Sequence, residues 1–112
     1  MKNVQVGDIF VTSWGYDLTN IDFYQVISRT EKMVTVREIR VTSERADYAM
    51  ASYVMPLKDQ FLDSDHPYDK AYGKPLKRRI FFRDDGVPYF KTHNFNRARK
   101  WDGMKRTETY TG

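Results

Sequence analysis

Strand-like patterning dominates the chain. Asp8-Ile9-Phe10-Val11-Thr12-Ser13-Trp14 is rich in β-branched and aromatic residues, and Gly15 stops it. Asp17-Leu18-Thr19-Asn20 carries turn chemistry, since Asp and Asn side chains cap their own backbone. Ile21 to Thr30 predicts a second strand and Met33 to Val41 a third. Glu31-Lys32 joins them without the glycine that the commonest hairpin turns favour. In the third strand Val34, Val36 and Glu38 share one face, and Thr35, Arg37 and Ile39 the other.

Thr42 to Ala49 is read as a loop, and Tyr48 to Pro56 as a fourth strand ended by its proline. Lys58 to Pro75 has no period and predicts an irregular segment. Leu76 to Asp84 is a strand, Asp85-Gly86 a hairpin turn, and Val87 to Thr92 the return strand. Pro88 in that return argues for a sheet edge. Asn94 to Lys100 fits a strand or a short helix, and Trp101-Asp102-Gly103 makes a second Asp-Gly turn leading into Lys105 to Tyr110. The pattern therefore predicts a mainly β protein. The expected form is a small single-domain SH3-like barrel, or a strongly bent antiparallel sheet of about six strands, with at most one short helix. Within one domain over residues 1–112, the parts are an opening meander (6–41), an irregular segment (58–75), a basic hairpin (76–92) and a C-terminal turn and strand (93–112).

Charge changes the picture. Residues 70–106 hold twelve Lys/Arg against three acids, a net of +9, while the whole chain is only +4. Aromatic residues lie between those cations. Cations displace counterions from phosphates, and rings stack on bases, so nucleic acid, RNA or DNA, or the nucleic acid of a host nucleoprotein complex, is the expected class of partner. In a strand, Lys77, Arg79, Phe81 and Arg83 share one side, while Arg78, Ile80 and Phe82 share the other, core-facing side. Across the turn, Tyr89, Lys91 and His93 join the basic face, flanked by Asn94, Arg97, Arg99, Lys100 and Trp101. Lys77, Arg79, Arg83, Lys91, Arg97, Arg99 and Lys100 are thus expected at phosphates, and Phe81, Tyr89 and Trp101 in stacking. The Leu76–Thr92 hairpin also has the form of a ribbon that enters a DNA groove. A reading without a ligand competes: edge strands carry Lys and Arg against aggregation, and the seven acids of residues 1–56 offer partners.

Cysteine is absent, so disulfides and thiolate chemistry are excluded. No apolar run reaches membrane-spanning length, and the first residues carry no apolar signal region. The expected location is the cytoplasm, with no membrane partner.

Gly7 to Val26 reads GDIFVTSWGYDLTNIDFYQV, and Trp101-Asp102-Gly103 recurs near the C-terminus. This pattern, GDIF-x-x-SWGYD-x-TN-x-DFYQV with a C-terminal WDG turn, resembles a set of short uncharacterised proteins of bacteriophages and other mobile elements. The resemblance covers the first forty residues well and the last dozen loosely. It implies a bacterial host cell and action by binding, including host-directed inhibitors of the anti-defence or anti-CRISPR type. A protein partner would then be gripped through Trp14, Tyr16, Tyr48 and Tyr53, residue types enriched in interface hot spots.

Catalytic signals are sparse. His66 and His93 are 27 positions apart, which excludes the helical zinc motifs. Asp63-Ser64-Asp65-His66 lacks the glycine and glutamate of a calcium loop. No phosphate loop, dinucleotide fingerprint or nucleophile elbow occurs. A small nuclease using His93 with Lys91 or Arg97 is the one catalytic alternative. The chain is otherwise expected to be non-catalytic, with no cofactor and no metal.

Overall fold

The computed structural model describes residues 4–14, 20–45, 51–62, 74–92, 96–104 and 106–109. Among them nine strands form and no helix. They are β1 Ile9–Trp14, β2 Asn20–Arg29, β3 Met33–Arg45, β4 Ala51–Phe61, β5 Leu76–Arg79, β6 Phe81–Phe82, β7 Pro88–Lys91, β8 Arg97–Lys100 and β9 Arg106–Thr109. All pairings are antiparallel, along the path β6-β7-β8-β1-β2-β3-β4-β9. The two ends, β6 and β9, do not pair, so the ladder is not a closed barrel. It is the strongly bent antiparallel sheet, with more strands than the pattern suggested.

One extra strand arises because one predicted strand, Leu76 to Asp84, serves two ladders. Residues 76–79 pair with Met33–Val36 of β3, while Phe81 and Phe82 pair with Tyr89 and Pro88 of β7. Between them Ile80 is buried, and its N–H donates to the Lys32 carbonyl at 2.9 Å. Arg78 spans the same gap from its side chain, Nε donating to the Lys91 carbonyl at 3.1 Å. The sheet is thereby curled around an inner core.

That core takes residues from β1, β2, β3, β5, β7 and β8. Phe10, Tyr24, Val26, Val34, Val36, Ile80, Phe90 and Ala98 are buried together, with Val4 closing one end and Leu76 packed alongside. Phe90 contacts both Phe10 and Tyr24, with ring centroids 5.2 and 5.7 Å apart. Val34 and Val36 occupy the expected inner face of β3. Ile39, on the opposite face, belongs to a second core with Val11, Ile21, Phe23 and Val54.

The second core exists because β3 is longer than predicted. Thr42–Arg45, read as a loop, pair with Ser52–Met55 of β4. β4 then continues past Pro56 to Phe61, through residues expected to be irregular. The register jumps from Val41↔Pro56 to Ile39↔Phe61, a large bulge. Asp59 in that bulge has φ 67°. A clasp to β2 holds it: Gln25 Nε2 donates to Asp59 Oδ1, and the Asp59 N–H donates to Gln25 Oε1, both at 2.7 Å. Gln25 is buried, and this pairing satisfies its amide. β4 and β9 so fold back against the outer face of β2. Arg37 sits over the Phe61 ring at 4.8 Å and donates to the Leu62 carbonyl, fixing the end of β4.

The β6–β7 turn differs in detail from a two-residue Asp-Gly hairpin. Arg83 N–H bonds the Val87 carbonyl and Gly86 N–H the Arg83 carbonyl, with Gly86 at φ 87°. This is a three-residue loop whose last position needs glycine. Pro88 does not mark an edge, since β7 pairs on both sides. It is the first residue of its strand, where the missing N–H is tolerated. Asn94 lies outside the described residues, and Arg97–Lys100 are strand rather than helix. No helix of the described residues is long and apolar enough to cross a membrane.

Two outcomes follow. Phe90→Ala, which empties the centre of the inner core, lowers unfolding stability in urea by about 3–5 kcal/mol; a loss under about 1 kcal/mol contradicts the packing. Burial first, then the charges of Glu38 and Asp22, hold the Tyr24 phenol well above its ordinary range. The folded state keeps a proton that the unfolded chain releases near pH ~10. This contribution is complete below that pH and is lost as pH rises above it. Urea titrations at rising alkaline pH therefore show a shallower stability loss in Tyr24→Phe than in the native chain.

Candidate nucleic-acid interface

Alternation along β5 sends Leu76, Arg78 and Ile80 inward and Lys77, Arg79 and Phe81 outward. The chain crosses Ile80 and meets β7 at once, so Phe81 lies opposite Tyr89. Their rings stack at 5.6 Å with planes 25° apart. β8 continues the row: Arg99 is the partner of Tyr89, and Arg97 of Lys91. Phe81, Tyr89 and Arg99 therefore stand side by side on three neighbouring strands, about 4.8 Å apart in the pairing direction.

Cations rest on this aromatic pair. Arg97 Cζ lies 5.0 Å from the Tyr89 ring centroid, and Lys91 Nζ 6.0 Å from that of Phe81. Both distances fall within cation–π range, which holds cation and ring at a fixed spacing. Lys77, Arg79, Lys91, Arg97 and Arg99 are all exposed. None of the five forms an ion pair with a carboxylate among the described residues. Edge protection does not account for Lys91, Arg97 and Arg99, because β7 and β8 are interior strands of the sheet.

Other predicted residues are placed elsewhere. Lys100 pairs with Phe10 on the inner face of the sheet, and its Nζ lies 3.5 Å from Asp8 Oδ2. One of the seven acids of residues 1–56 thus does pair with a predicted phosphate ligand. Trp101 is not a stacking platform. It packs edge-on against Phe23 at 5.8 Å in the second core, and its indole N–H donates to the Met104 carbonyl at 2.7 Å. The Trp101-Asp102-Gly103 motif is thus a structural turn, with Asp102 Oδ1 accepting from the Met104 N–H and Gly103 at φ 88°. Arg83 leaves the β5 row at the turn and pairs with Asp85 at 3.1 Å. Phe82, expected in the core, is 55% exposed, because the strand ends two residues after its break and no described residue covers it.

Two hollows border the face. One, of about 410 Å³, is lined by Phe82, Arg83, Asp84, Asp85, Tyr89 and Arg97. The other, of about 210 Å³, is lined by Arg83, Val87, Arg99, Lys100, Asp102 and Arg106. Phe82, Asp84 and Arg106 were not foreseen as site residues. No periodic signal marks them, since each sits beside a turn.

Tyr16, Tyr48 and His93 lie outside the described residues, as do His66, Asp63, Asp65 and Asp69. Trp14 contributes its backbone to β1, and Tyr53 is half-buried in β4 between Glu44 and Thr107. Among the described residues no three His, Asp or Glu side chains come together in a metal-binding group. Set against protein-family models, curated proteins and solved structures, the chain gives no significant match.

The two kinds of residue in the basic segment separate by stability. Lys91→Ala and Arg99→Ala change unfolding free energy by no more than about 0.5 kcal/mol, whereas Trp101→Ala costs at least ~2 kcal/mol. Equal effects at all three positions contradict the assignment.

Proposed function

We propose that the protein binds single-stranded nucleic acid on the outer face of β5–β8, without catalysis, in the setting of a phage or mobile element. The observation that supports this most is the set of five exposed cations, unpaired by any described carboxylate, around the stacked Phe81–Tyr89 pair. Lys77, Arg79, Lys91, Arg97 and Arg99 take phosphates, and the two rings offer stacking surface to bases. Such a surface is sequence-tolerant, because every base has a π face.

A single strand suits this face better than a duplex. Major-groove readout calls for an inserted helix or a projecting ribbon. Here the expected ribbon is embedded: β7 pairs with β8 over its length, and β6 contributes only two residues.

Fluorescence anisotropy with labelled single-stranded RNA, single-stranded DNA and duplex DNA tests the reading. Five phosphate contacts on a single strand give a log–log salt slope of about −3.5. The Lys91→Ala/Arg97→Ala/Arg99→Ala triple variant reduces that slope to about −1.4. Tyr89→Ala costs ~1–3 kcal/mol of affinity at constant salt. Absence of binding even at low salt contradicts the proposal, and a partner retained from nuclease-treated host lysate would favour a protein target instead.

A further inference from the structure

We infer that the two hollows together receive the end of a nucleic-acid strand, the smaller one taking a terminal phosphate monoester and the larger one the last base. This rests on the nucleic-acid reading above and adds a preference for phosphorylated ends.

The hollows are neighbours that share Arg83. Their charge balance differs: the larger one sets Arg83 and Arg97 against Asp84 and Asp85. The smaller one has four cations, Arg83, Arg99, Lys100 and Arg106, against Asp102. Three of those cations are each held by one carboxylate: Arg83 by Asp85 at 3.1 Å, Lys100 by Asp8 at 3.5 Å and Arg106 by Asp102 at 3.2 Å. Such single contacts position a head group without exhausting it, since a guanidinium carries five N–H donors and an ammonium three. Arg99 has no carboxylate among the described residues. Arg106 Nε is buried and lacks an acceptor there. Arg99 and the Arg106 Nε–H thus stand in one lining, the first without a described carboxylate and the second without a described acceptor.

The larger hollow is lined by Phe82 and by Tyr89, with Arg97 over the Tyr89 ring. Asp84 and Asp85 on its rim repel phosphate and accept hydrogen bonds from base N–H groups. Base and phosphate are therefore sorted, the base to the rings and acids, the phosphate to the cations. The smaller hollow lies where two turns meet, Arg83–Gly86 and Trp101–Met104. It stands beside Arg99, the last member of the Phe81–Tyr89–Arg99 row. A strand tracking the face thus finds a concave basic stop. A monoester, which approaches two negative charges at neutral pH, gains more than a diester with one from the unpaired Arg99 and from the donors the three paired cations still have to give.

The test uses single-stranded oligonucleotides of one sequence carrying a 5′-phosphate, a 3′-phosphate or hydroxyls at both ends, and the same sequence circularised. Competition anisotropy gives the affinities. One phosphorylated end is expected to bind about tenfold tighter than the hydroxyl-ended strand, equivalent to ~1.4 kcal/mol, and its identity fixes the strand polarity. In Arg83→Gln and in Arg106→Gln the ratio falls to near one. The exposed Arg83 keeps the test valid should Arg106→Gln disturb the fold. Equal affinity for all four ligands overturns this inference and leaves the outer-face reading standing. A preference that survives both variants also overturns it. Binding to none of the four overturns both.

Discussion

Ile80 carries two obligations at once. Its side chain is buried in the inner core, and its N–H is tied to the turn between β2 and β3. The strand on its one side must pair with β3, and on its other side with β7. The sheet cannot be flat under those conditions, since β3 and β7 lie on opposite flanks of the β8-β1-β2 sequence. Curling buries Phe10, Tyr24 and Phe90 against one another, and it fixes which residues look outward. Lys77 and Arg79 point out because Leu76 and Ile80 point in. Phe81 meets Tyr89 because the chain passes Ile80 straight into β7.

The outer face of this curled sheet is divided into a covered half and a bare half. Over β1 and β2, the bulged β4 folds back, clasped through Gln25 and Asp59, and Trp101 packs beside it. Outward positions there include the apolar Val11, Ile21, Phe23 and, on β3, Ile39, and the polar Gln25 and Arg37 among them are bound to β4 and its end. Over β5 to β8 nothing is laid among the described residues, and the outward positions are Lys77, Arg79, Phe81, Tyr89, Lys91, Arg97 and Arg99. The boundary runs between Arg99 and Val11, partners on adjacent strands. The chemistry of each half thus follows from whether the fold covers it. Exposed charge without a described partner, set on interior strands and spaced by rings, is the surface a polyanion fits.

Much of this was legible along the chain, for physical reasons. Period-two alternation places Val34 and Val36 inside and Lys77, Arg79 and Phe81 outside whatever the wider topology. The glycine after Asp85 is required by a positive φ that other residues rarely adopt. Other features had no local signature. The Gln25–Asp59 clasp joins residues 34 positions apart, and nothing in either neighbourhood singles them out. Continuation of β4 past Pro56 depends on a bulge opposite β3, not on strand propensity. Trp101 and Lys100 belong to the basic segment in sequence but not to its outer row: one is drawn into the second core by Phe23, the other is held by Asp8 at the end of its strand. Linear charge density measures neither facing nor burial.

Mapping a bound single strand residue by residue tests the central claim most directly. Backbone amide shifts of the isotope-labelled protein, followed by NMR as a single-stranded oligonucleotide is added, give that map. The division of the outer face predicts changes concentrated at Lys77, Arg79, Phe81, Tyr89, Lys91, Arg97 and Arg99, with Ile21, Phe23, Ile39 and Val54 unmoved. Changes centred on β2 and β4 instead, or no changes at all, would contradict it.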